Sequence, residues 1–107
     1  MIVIRTNGRA EIKDNVGYES LTKIVEGYLE AVFLFNPNGN AVMYLNGDGK
    51  NMYKAHNAVA TRLAHSYSRI AKTDFIVGAV AIVGFPDDFG NDTNPPYWIE
   101  EAIKTHI

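Results

Sequence analysis

Asp74–Phe85, DFIVGAVAIVGF, is the stretch whose reading decides the fold. Apart from Asp74 and the glycines at 78 and 84 it is wholly apolar, and Ile and Val dominate it. A short apolar run bounded by turn signals reads as a strand buried on both faces. Such a strand belongs at the centre of a small sheet, with the other elements packed around it.

Working outward, Ile2–Arg5 and Arg9–Lys13 flank Asn7-Gly8, a strong short-range hairpin signal. Asp14–Gly17 reads as a loop. A first helix is expected over Glu19–Tyr28, because Leu21, Ile24, Val25 and Tyr28 share one face and Gly27 marks its end. Ala31–Phe35 and Ala41–Leu45 flank Asn36-Pro37-Asn38-Gly39-Asn40 and form a second hairpin. A second helix is expected from Asn57 to Ile70, capped by Asn57 or His56, with Val59, Leu63, Tyr67 and Ile70 on one stripe. The order β-β-α-β-β-α-β-α gives an α+β domain: a mixed sheet of about five strands, both main helices on one face, and a C-terminal tail helix. Residues 1–85 are expected to form the compact part. Residues 86–107 add a loop, PDDFGNDTNPP, and a short aromatic helix over Tyr97–His106.

Composition narrows the class. The 107 residues suit one domain, with 47% apolar and 21% charged residues and a net charge of -2. That charge does not suit a generic nucleic-acid binder, although a local basic patch would still permit such binding. There is no cysteine, hence no disulfide, thiolate nucleophile or Cys-based zinc site. No run approaches the roughly 20 apolar residues of a membrane span, and the N-terminal apolar run is too short for a signal peptide. The expectation is a soluble, cytoplasmic protein.

No catalytic or metal motif survives inspection. Gly47-Asp48-Gly49-Lys50 lacks the spacing of a phosphate loop and reads as a turn. The same segment lacks the twelfth-position Glu of a calcium loop, where Asn57 stands. His56, His65 and His106 have no metal-pair spacing. Ser20, Ser66 and Ser68 have no glycine elbow. Asp87, Asp88 and Asp92 read as solubilising residues of the late loop. A hydrolase or nuclease is therefore the least favoured class, and neither cofactor nor metal is expected.

Two features suggest binding. Arg62, His65, Arg69 and Lys72 recur at i, i+3, i+7 and i+10, one stripe of the second helix, and no acidic residue lies between His56 and Thr73. With Asn57, Tyr53 and Tyr67 near them in sequence, they suit an anionic, nucleotide-like ligand. The plainer reading is a solvated helix face. The second feature is the tail, where Tyr97, Trp98, Ile99 and Ile103 either cover the chain's own core or dock on a second subunit of a homo-oligomer.

LTKIVEGYLEAVFL (Leu21–Leu34), NAVMYLNGDGK (Asn40–Lys50), HNAVATRL (His56–Leu63) and DFIVGAVAIVG (Asp74–Gly84) together resemble an uncharacterised domain of small bacteriophage, plasmid and other mobile-element proteins. That domain shows a helix ended by glycine, a strand opening on Leu/Ile-Glu-Val, a turn rich in Asn and Gly, an Asn-opened helix and a closing Val/Gly strand. The resemblance spans Leu21–Gly84 and leaves out the segment after Phe85. It implies a non-enzymatic accessory protein inside a bacterial host, binding an anionic ligand or a host component, in counter-defence for example. It also places Asn57 and Arg62 in the functional part of the pattern. The alternative is a protein–protein interaction module that inhibits a host factor through the acidic loop and aromatic tail.

Overall fold

The computed structural model describes residues 1–14 and 17–107. Of the loop expected over Asp14–Gly17, Asn15 and Val16 lie outside the described residues. The elements follow the expected order: β1 (Ile2–Ile4), β2 (Ala10–Ile12), α1 (Tyr18–Val25), β3 (Leu29–Leu34), β4 (Ala41–Asn46), α2 (Ala58–Ser66), β5 (Val80–Gly84) and α3 (Trp98–His106). The five strands form one sheet in the order β2-β1-β5-β4-β3. β5 is central, as its composition requires, and all five of its residues are buried. The apolar run before it does not extend the ladder: Gly78 turns with φ 78°, and Val77 only bridges to His56. Every pairing is antiparallel, so the sheet is not mixed. The reason is connectivity, because the two hairpins insert β5 between β1 and β4 and each neighbour runs opposite to it.

Side-chain alternation divides the core in two. Val80 and Ile82 of β5 join Ile2, Ile4, Met43 and Leu34 beneath α2 and α3, with Leu63, Ile99 and Ile103 among the covering residues. Ala81 and Val83 face the other way, joining Val3 and Val42 beneath Leu21 and Ile24 of α1. α1 therefore covers the face opposite α2, and the expectation of both main helices on one face is corrected. A strand apolar on both faces needs cover on both, at about 1.5–3 kcal/mol for each large side chain buried.

Both helices also stop early. α1 ends at Val25, where Glu26 adopts a left-handed φ of 61°. Asn46 of β4 is buried there, and its Nδ2 donates to the carbonyls of Val25 and Glu26 at 3.0 and 3.1 Å. Gly27 leaves room for that amide, since a Cβ would strike it. Tyr28 consequently lies outside the helix and is exposed. α2 ends at Ser66, and Ser68 is left-handed at φ 54°. Ile70 still packs on the core, but from a non-helical segment.

Candidate functional site

Asn57 caps α2. Its Oδ1 accepts from the Ala60 N–H at 3.1 Å, while Nδ2 donates to the carbonyls of Ile4 and Gly78 at 3.0 and 2.9 Å. The side chain is wholly buried and both amide protons are engaged, so no part of it is open to a ligand. Its role is to tie the helix start to β1 and to the turn before β5.

The four cations do not form one stripe, because the helix ends before two of them. Arg62, on α2, donates through Nε and Nη2 to the His106 carbonyl at the end of α3. A guanidinium there meets the negative end of the α3 dipole. His65 places Nε2 2.9 Å from the Asp74 carbonyl. Arg69, beyond the helix, sits over the Phe35 ring at 5.0 Å. Lys72 is exposed on the following turn. Of the tyrosines, Tyr53 is 94% exposed in a left-handed turn conformation. Tyr67 is half-buried; its hydroxyl accepts from Asn36 Nδ2 and its ring lies 5.2 Å from that of Trp98. Arg62 holds α3, Arg69 covers an aromatic and Tyr67 lines the core, so packing accounts for three of the proposed ligand contacts.

The tail covers the chain's own core. Trp98, Ile99 and Ile103 form the buried side of α3, packed on the sheet core, and Trp98 Nε1 donates to the Gly39 carbonyl at 2.7 Å. Of the four tail residues only Tyr97 faces outward.

A cleft of about 310 Å³ opens beside the Asn46–Lys50 turn, between Val32 and Leu45 of the sheet and Phe75 and Val77. Lys50 at its rim pairs with Asp74 and lies 4.6 Å from the Phe75 ring centre. The Lys50 hydrogen bond, then the Phe75 backbone N–H, holds the Asp74 carboxyl below its ordinary pKa. The cleft's cation is thus already neutralised.

His56 Nε2 lies 3.2 Å from Thr61 Oγ1, a spacing that a nucleophile and its base would share. That hydroxyl, however, donates to the Asn57 carbonyl and accepts from the Ile76 N–H. It holds the backbone together. No group of three or more potential metal ligands occurs among the described residues.

The feature that sequence reading passed over is the acidic loop's internal order. Asp87 Oδ1 accepts from the N–H groups of Phe89 and Asn91, both at 2.9 Å, and the backbone closes with Gly90 N–H on the Asp87 carbonyl. Those bonds, Asn91 N–H first, lower the Asp87 pKa. The loop's root is pinned as well: Gly84 N–H donates to the Thr93 carbonyl at 3.1 Å, and Thr93 Oγ1 donates to the Phe85 carbonyl. The turn presents Phe89 to solvent, 89% exposed, and Asp88 and Asp92, close to it in sequence, are exposed as well. Asp-x-x-Gly-Asn at 87–91 is the signal that could have found it, since Asp favours side-chain bonds to the backbone two residues on.

No curated protein and no solved structure matches the chain. A family described as a domain of unknown function, DUF3846, matches residues 1–106. The match runs beyond the resembling stretch at both ends, so the acidic loop and α3 are part of the family domain. The chain belongs to the DUF3846 family.

Proposed function

We propose that this protein is a non-enzymatic docking module, and that the Asp87–Asp92 turn is its contact surface. The partner is a protein bearing an apolar pocket for Phe89 rimmed by Lys or Arg. The carrying observation is an aromatic side chain held almost fully in water by a turn whose own hydrogen bonds fix its shape. An ordered aromatic anchor on an acidic loop binds at low entropic cost, and the loop's charges steer the approach. The anionic-ligand reading of α2 is less favoured, because two of its cations lie off the helix and Arg62 is spent on α3. The resemblance to mobile-element proteins extends the proposal: the partner is a component of the bacterial cytoplasm, and its inhibition serves counter-defence.

Affinity capture from bacterial lysate tests this, with wild-type protein and Phe89→Ser as parallel baits. A protein retained by wild type, released by salt and lost with Phe89→Ser is the expected result. Identical retention by both baits would contradict the proposal.

A further inference from the structure

We infer that the outer edge of β3 is a self-association surface, on which a second copy of this chain adds its own β3 antiparallel to form a continuous ten-stranded sheet. The inference does not depend on what the acidic turn binds.

The two edges of the sheet differ. β2 has three residues, carries Glu11 within it, and is flanked by Arg9 and Lys13. Short length and charge are the usual protections of an edge strand. β3 has six residues, LEAVFL, with one charge and neither Pro nor Lys within it. The Gly47 N–H donates to the Tyr28 carbonyl, which marks 28 and 47 as a bonded pair. Alternation from that pair directs the N–H and C=O of Val32 and Leu34 toward β4, and those of Leu29, Ala31 and Phe33 outward. Among the described residues no backbone or side-chain group outside the ladder meets these outward groups.

The edge is self-complementary. A two-fold axis at Ala31 or Val32 brings outward groups of one copy against outward groups of the other. Glu30 then lies opposite Val32 or Leu34 of the second copy, and never opposite a second Glu30. Phe33 lies opposite Leu29 or Ala31. Beside this line, on the part of α1's own sheet face that the helix does not reach, Phe33 and Phe35 are 42% and 50% exposed and pack with Phe85 at 5.8 and 5.9 Å. Across the join each Phe33 would pack on Leu29 or Ala31 of the other copy, giving the paired edge an apolar cover. Net charge of -2 is too small to oppose it.

Sedimentation of the full chain across a dilution series tests the inference, with Ala31→Pro and Phe33→Lys as variants. Ala31→Pro removes an N–H that points away from β4, so the intramolecular ladder keeps its bonds. The expected mass is twice 11.9 kDa, falling to one copy on dilution. Each variant is expected to weaken association at least tenfold with unchanged far-ultraviolet dichroism. If Ala31→Pro unfolds, Phe33→Lys decides. Ile12→Lys, on the opposite edge, is expected to leave the dimer intact. Wild type sedimenting as a monomer throughout, or a folded Phe33→Lys associating like wild type, would overturn the inference.

Discussion

Two buried asparagines hold this fold at the points where its elements change direction. Asn46 receives the end of α1 and the start of the following turn, its Oδ1 accepting from Asp48 N–H at 2.8 Å. Asn57 joins α2 to β1 and to Gly78. Replacing Asn57 with Ala removes a cap worth about 1 kcal/mol. It also removes two hydrogen bonds donated to buried carbonyls, at about 1 kcal/mol each. We expect Asn57→Ala to lose about 3 kcal/mol or more in denaturant unfolding. Asn57→Asp is the sharper case: Asp caps helices as well as Asn does, but here its carboxylate would face the Ile4 and Gly78 carbonyls. It is expected to destabilise at least as much as Ala. Asp stability near wild type would show that the two donated bonds contribute little. Asp87 makes a pH prediction. Its folded pKa is lowered, so its contribution to turn stability is complete above the usual aspartate value and disappears as pH falls through the lowered folded value. The amide resonances of Phe89 and Asn91 are expected to shift with a midpoint below that usual value, about 3.9. A midpoint at or above it would contradict the bonding described.

Among the elements, strands were legible and helix ends were not. β5 and both hairpins could be read because an apolar run and an Asn-Gly or Asn-Pro turn carry their own signal. α2 was read too long because Ile70 continues the helical spacing of Val59 and Leu63. It reaches the same core from a segment that has left the helix after Tyr67. Periodicity reports which residues are buried, and a bent chain can bury the next one in step. The cationic stripe depended on that extension and dissolved with it. Both main helices are expected on one face, yet they take opposite ones, because helical spacing says which side of a helix is apolar, not which face of the sheet receives it. The root of the acidic loop gives an element-scale test. A Cβ on Gly84 would strike the Asn94 carbonyl and Thr93 Oγ1. The first of these is backbone and cannot rotate away. Gly84→Ala is expected to lose about 1–3 kcal/mol, the usual cost of overpacking. It should also speed amide exchange across residues 86–93. Unchanged exchange there would show that the root does not hold the loop.

For the molecule as a whole, α3 completes the core over the sheet, and the family match includes it. The division expected at residue 85 therefore separates the body from a loop, after which the chain returns to that body. The consequence for function is that the tail's large aromatic is spent on stability, whereas Phe89 is left to solvent. The most direct test of that assignment is site-specific photo-crosslinking inside bacterial cells, with a photoreactive phenylalanine placed at position 89 and, separately, at position 62. The account predicts a discrete protein adduct from position 89 and none from position 62. An adduct from position 62 with none from position 89 would contradict it.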